Sequence, residues 1–247
     1  MHSLTQLEAI HRAAAIVVET YSVDVDVTSS ESFRSTATVR FRASRPGDTT
    51  FVEIKPTALR SVTLNGAPVD VAGLDGNRLA LGPLAADNEL VVDADMAYSN
   101  TGEGLHRFVD PADGETYLYA MSFLDEAQRI FACFDQPDLK ARCTLAVTAP
   151  SAWTVAANAP VAGATPAADG ATRWEFAESQ PLATYFVSFI AGPYHRIDDT
   201  NDGIPLAVYC KRSLAPHLDR DADEILEVTR QCLERFHELF GVRYPFG

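Results

Sequence analysis

The hydrophobic and polar positions change period early in the chain. In residues 4–15, LTQLEAIHRAAA, the positions Leu4, Leu7, Ile10 and Ala14 recur at helical spacing, and the stretch is predicted to be a helix. From Tyr21 the period becomes two. Tyr21, Val23, Val25 and Val27 alternate with Ser22, Asp24 and Asp26, the pattern of a strand with one buried face. The same alternation returns in residues 37–42, 51–54 and 62–64, in Arg78–Leu84 and in Glu89–Tyr98. Asn65-Gly66 follows one of these runs directly and predicts a tight hairpin, because both residues tolerate positive φ.

A second group of strands is predicted at Leu105–Val109 and Tyr117–Met121, around the turn Asp110-Pro111-Ala112-Asp113-Gly114. Strands follow at Thr144–Thr148, Trp153–Ala157, Thr172–Phe176 and Tyr185–Ile190, with Ala162–Gly170 read as a loop. Short strands at this spacing describe a mainly β protein, an antiparallel sandwich or saddle-like sheet. The texture changes at the polar stretch Asp198–Gly203, which suits a domain boundary. Beyond it lie one strand, Leu206–Lys211, and one amphipathic helix, Asp221–Phe240. Ile225, Thr229, Cys232, Phe236 and Phe240 share a face of that helix, with Leu226, Leu233 and Leu239 beside it. Asp219 or Asp221 is the expected cap and Gly241 the expected stop. One strand and one helix cannot bury a core alone, so residues 198–247 are expected to open a second domain that this chain does not complete, after a first domain over 1–197.

Composition narrows the function classes. The 247 residues are 47% hydrophobic and 22% charged, enough for a packed core, with a net charge of −14. That balance offers no basic stripe for nucleic acid and suits an anionic membrane surface equally poorly. No signal peptide or run of spanning length is visible, and a cytoplasmic location is expected. Four cysteines (133, 143, 210 and 232) show no CxxC spacing and read as reduced thiols, with a Cys133–Cys143 bridge the weaker alternative.

Candidate chemistry is sparse. His237-Glu238-Leu239-Phe240-Gly241 approaches the HExxH pattern of zinc peptidases, but Gly241 stands where the second ligand belongs, so an ordinary helix end explains it and no metal site is expected. The other histidines have no ligand spacing, and neither a nucleophile elbow nor a phosphate-binding glycine loop is present. No catalytic residue is assigned. Asp125-Glu126, with Arg129, offers paired carboxylates for a substrate ammonium. Service to the first turn of a short helix is the simpler reading of them.

Several segments together resemble the amino-terminal region of the aminopeptidase N family of zinc metallopeptidases, in its actinobacterial form. They are GEGLHRFVDPADGETYLY (102–119), RIFACFDQPDLKA (129–141), TLAVTAP (144–150) and the last helix leading to RYPFG (243–247). The resemblance implies a β-domain facing the active site of a thermolysin-like α/β domain, of which 198–247 would hold only the first strand and helix. It implies zinc in the full-length protein, bound downstream of this chain, and peptide substrates cleaved at their amino end. The partners it implies are the peptide and the remainder of the catalytic domain. The fragment alone is expected to be inactive. The family's Gln-x-Glu, whose Glu holds the substrate amine, falls without gaps on Met121 and Phe123, and neither can act as that carboxylate. Asp125 or Glu126 would substitute if the loop shifts. Two alternatives stand beside this reading: a non-peptidase relative, and a stand-alone β-sandwich binding module.

Overall fold

A computed structural model describes residues 2–245. The helix α1 (Gln6–Ala15) leads into β1 (Ile16–Asp26), β2 (Ser32–Ala43), β3 (Thr50–Glu53), β4 (Ala58–Leu64), β5 (Ala67–Pro68), β6 (Arg78–Leu81) and β7 (Asp87–Ala97). Next come β8 (Gly104–Val109), β9 (Thr116–Met121), β10 (Arg142–Pro150), β11 (Thr154–Ala157), β12 (Val161–Pro166), β13 (Ala171–Phe176) and β14 (Phe189–Gly192). The hairpin β15 (His195–Asn201) and β16 (Ile204–Cys210) and the helix α2 (Ala215–Phe240) complete the order. Two compact units result. The first runs to Phe108 and resumes over Leu118–Ala191; the second takes Val109–Tyr117 and the residues from Gly192.

In the first unit an eight-stranded sheet has the order β12-β13-β10-β1-β2-β7-β4-β5, and a four-stranded sheet the order β11-β14-β9-β8. One hydrophobic cluster draws on both, as a sandwich requires. The predicted alternation in β1 holds: Tyr21, Val23, Val25 and Val27 are buried. Asn65 (φ 54°) and Gly66 (φ 78°) make the predicted hairpin turn between β4 and β5. The outer faces of β2, β4 and β7 carry ion pairs, Arg34–Asp93 (2.6 Å), Arg60–Asp95 (2.9 Å) and Arg40–Glu89 (3.0 Å). Such exposed pairs add little stability each but keep this face in water.

Four departures have physical causes. β1 pairs with β10 in parallel, Tyr21 opposite Cys143 and Val25 opposite Val147, while β1–β2, β2–β7, β4–β7, β10–β13 and β12–β13 are antiparallel. Alternation reports burial and is blind to strand direction. The predicted loop 162–170 begins as an edge strand, β12, whose near-complete exposure erases any alternation. The apolar run at Tyr185 is a 3₁₀ turn, Thr184–Phe186, before β14 starts at Phe189. In α1 the apolar face is outward, Leu7 and Ile10 being exposed, whereas Arg12 is buried.

In the second unit the expected boundary at residue 198 falls inside a hairpin. β15 pairs with β16 from His195–Cys210 to Asn201–Ile204, and Asp202 (φ 51°) and Gly203 (φ 80°) form its turn. The loop 109–117 is tied to residues 211–213: Asp110 accepts from Ser213 Oγ (2.7 Å) and pairs with Lys211 (2.7 Å), which hold its carboxyl down at about 2. The Tyr117 hydroxyl donates to Asp113 (2.7 Å) and accepts from the Arg212 amide (2.9 Å). α2 begins at Ala215, earlier than predicted, with Pro216 in its first turn. Neither Asp219 nor Asp221 caps it; Asp219 meets His195 (2.7 Å) and Asp221 pairs with Arg220. Gly241, left-handed at φ 64°, ends the helix as predicted. Leu218, Ala222 and Leu226 form its buried stripe, while Val228, Phe236, Leu239 and Phe240 are exposed.

Candidate functional site

Strand β9 projects alternate side chains outward, and the alternation continues past its end. Tyr119, Met121 and Phe123 are all exposed, while Ser122 between the last two is buried. Leu124 is exposed too. The Phe123 ring meets Tyr185 edge-on, with centroids 5.4 Å apart, and Tyr185 lies against the exposed Phe186 at 4.4 Å. His106 stacks on Tyr119 at 4.7 Å. The first unit thus presents an apolar, aromatic face made by β9, the segment 121–124 and the 184–186 turn. Patches of this kind on a soluble domain mark contact surfaces.

The structure places the two candidate carboxylates differently. Glu126 is mostly buried and pairs with Lys55 Nζ (3.2 Å) and with Arg129, which also reaches Glu103 (3.6 Å). Its side chain makes no capping bond to the 3₁₀ turn Ala127–Arg129. Asp125 is exposed, and its backbone carbonyl accepts from Gln128 Nε2 (2.8 Å). Of the pair, Asp125 alone presents its carboxylate to solvent.

The adjacent signature Phe134-Asp135-Gln136-Pro137 goes inward. Phe134 is fully buried against Phe41, at 5.1 Å and 74° between ring planes, and its amide donates to the Tyr21 hydroxyl (3.1 Å). Gln136 Oε1 accepts from Arg12 Nε (2.9 Å), and Gln136 Nε2 donates to the Ala9 carbonyl (2.9 Å). Arg12 Nη1 reaches both oxygens of Glu53, at 2.8 and 2.7 Å, and Glu53 Oε2 also accepts from the Asp135 amide (3.2 Å). Arg12 Nη2 has no hydrogen-bond partner among the described residues; the guanidinium lies over Phe51 (4.7 Å) and Phe134 (5.9 Å), rings whose faces attract a cation.

Burial dominates the acidities here. It raises Glu53, against the pull of Arg12. It raises Asp135 to about 6, although Thr184 donates to one of its oxygens (2.8 Å). Sequence reasoning found the signature but not Arg12, Glu53 or Thr184. The one signal was a lone Glu in the apolar run Phe51-Val52-Glu53-Ile54, a charge that burial obliges to find a partner.

At the end of α2, the residues nearest to a zinc motif do not fit a metal. His237 Nε2 accepts from the Tyr244 amide (2.9 Å), Glu238 pairs with Arg235 (3.1 Å), and the next position of the motif is the helix cap Gly241. No group of three or more His, Cys, Asp or Glu side chains among the described residues is gathered as metal ligands would be. All four cysteines are free thiols. Of the RYPFG segment, Phe246 and Gly247 lie outside the described residues.

The family of peptidase M1 N-terminal domains matches residues 17–186, which take in nearly all of the eight-stranded sheet, three strands of the four-stranded one and the whole 121–137 loop. The chain belongs to the M1 peptidase family. It is 44% identical to aminopeptidase N of Streptomyces lividans, over 99% of this chain and 29% of that protein. A probable M1 family aminopeptidase of Encephalitozoon cuniculi is 35% identical over 60% of this chain and 17% of its own length. The glutamyl aminopeptidase of Homo sapiens is 31% identical over 48% and 12% respectively. The chain therefore spans less than a third of each relative. Within the M1 domain the exposed positions Met121, Phe123 and Asp125 fall inside the matched region, and α1 falls before it. No helix among the described residues is long and apolar enough to cross a membrane.

Proposed function

We propose that this chain is the amino-terminal part of a zinc-dependent aminopeptidase that removes amino-terminal residues from peptides in the cytoplasm. In this reading the first unit shapes one wall of the substrate pocket with its aromatic face. The residues after it open the catalytic domain, and zinc is held by residues this chain does not contain. The observation that carries the reading is the similarity, along almost the whole chain, to a protein named aminopeptidase N. The test is hydrolysis of alanyl and leucyl anilides by the complete protein, with and without a zinc chelator. Chelator-sensitive release of the aniline is expected; a complete protein that cleaves neither substrate would sink the proposal.

A second reading is favoured by one observation. Met121 and Phe123, which we propose occupy the amine-anchor positions, are exposed apolar side chains. A charge-assisted hydrogen bond of about 1.5–3 kcal/mol is then missing, equivalent to one to two orders of magnitude in binding. A relative with an altered substrate follows. Phe123→Glu in the complete protein is expected to raise kcat/KM for free-amine substrates by that factor and to leave amino-acetylated ones unchanged. Asp125 is the available substitute anchor, because Glu126 is held by Lys55 and Arg129. If Asp125→Ala leaves the preference for free over acetylated substrates intact, Asp125 has no such role. The apolar stripe exposed on α2 counts against a binding module complete in itself.

A further inference from the structure

The exposed aromatic face is assembled from two chain segments, and one buried side chain touches both. Asp135 Oδ1 accepts from Thr184 Oγ1 (2.8 Å), the residue that opens the turn carrying Tyr185 and Phe186. Asp135 Oδ2 accepts from Gln128 through its amide (3.4 Å) and its Nε2 (3.3 Å). Gln128 Nε2 also donates to the Asp125 carbonyl (2.8 Å), two residues from Phe123. Gln128 is itself fixed from elsewhere: Asn77 Nδ2 donates to its Oε1 (2.7 Å), and the Lys55 amide donates to its carbonyl (2.7 Å). Asp135, Gln128 and Thr184 are all buried. We propose that Asp135 is a positioning residue: its two oxygens set the spacing of Phe123 against Tyr185, and Arg12 of α1 steadies it through Glu53.

The chemistry asks for a carboxylate at this point. An ionised carboxylate is the one side chain of this size that accepts on both oxygens, and these donors arrive from opposite segments. An amide at this position would keep a carbonyl for Thr184 but turn an N–H against Gln128. The link to α1 is short: the Asp135 amide donates to Glu53 Oε2 (3.2 Å), and Glu53 is held in two bonds by Arg12. Arg12 and Gln136, the neighbour of Asp135, are 124 residues apart in sequence, yet bonded at 2.9 Å. The charged and titratable groups that face Asp135 are Glu53 of β3, Tyr21 of β1, Cys133, Asp125 and, beyond Glu53, Arg12.

The proposal leans on the aminopeptidase reading only for what the aromatic face meets; its test needs no catalysis. Amide hydrogen exchange and ring–ring proton contacts would be measured by NMR on the 247-residue chain. With Asp135→Asn, amides 122–128 are expected to exchange about tenfold faster and the Phe123–Tyr185 contact to weaken, while amides 184–188 and those of β2 and β7 stay as they are. Thr184→Val is expected to give the reverse, freeing 184–188 alone, and it stands in should Asp135→Asn fail to fold. Unchanged exchange at 122–128 in Asp135→Asn, or an equal rise in every segment including β2 and β7, would overturn the proposal.

Discussion

The stretches 121–126 and 131–136 belong to one loop and have opposite fates. Phe123 is 58% exposed, and Phe134 is fully buried. Glu126 and Asp125 stand within reach of solvent or surface cations, whereas Asp135 and Gln136 face the core. In sequence both stretches look equally specific. The difference teaches that a conspicuous motif need not be the part that meets a ligand. Phe134-Asp135-Gln136-Pro137 is specific because a buried polar turn must satisfy every donor and acceptor it brings inside. The outward stretch, with Met121 and Phe123 exposed, carries no such obligation.

Substitutions sharpen this contrast, and the largest effect is expected inside. Arg12→Met leaves Glu53 buried and unpaired, which costs about 3–5 kcal/mol in urea unfolding at pH 7. The double variant Arg12→Met/Glu53→Leu is expected to recover a large part of that loss, since the uncompensated charge goes with its partner. A double variant no better than the single would show that the ion pair is not what Arg12 contributes. Phe134→Ala is expected to cost about 3–5 kcal/mol through the cavity it opens against Phe41.

The acidity of Asp135 gives the next effect. Its folded pKa, about 6, lies above the ordinary 3.8, so the folded chain holds a proton that the unfolded chain has released. Its contribution is full below 3.8 and lost as pH rises through 6. Relative to Asp135→Asn, the unaltered chain therefore gains roughly 2 kcal/mol as pH falls from 7 to 4. Glu8, held down at about 2 mainly by Arg78, changes stability only below its ordinary 4.5 and leaves most of that window clear. A pH-independent difference between the two proteins would remove the titration from Asp135. The smallest effect belongs to the outward stretch: Phe123→Ala is expected to shift unfolding by no more than about 0.5 kcal/mol. A loss of several kcal/mol there would erase the contrast between the two stretches.

Much of the fold was legible because half-buried strands write their burial into alternate positions, as Tyr21–Val27 and Glu89–Tyr98 do. Asn65-Gly66 and Gly241 were legible because their backbone conformations exclude most other residues. The parallel pairing of β1 with β10 was not, since no local pattern encodes a neighbour far along the chain. β12 was hidden by its exposure, and α1 misled because polar bonds from Arg12, Glu8 and Ala9 dock it, leaving Leu7 and Ile10 outside. At the candidate site, positions 121, 123, 125 and 126 were singled out from the sequence. Which of them faces outward required knowing where Lys55 and Thr184 come to lie.

The placement of β1 also governs how the domain can assemble. Its one flank pairs with β2, a neighbour available as soon as residues 32–43 exist, while its other flank waits for residues 142–148. Pairings across so much intervening chain close slowly, because the loop must first be brought to order. During synthesis the hairpin of β1 and β2 would stand for some time with an open edge and an uncovered apolar face. A nascent chain in that state is a natural client for a chaperone and the stage at which this domain is most exposed to aggregation.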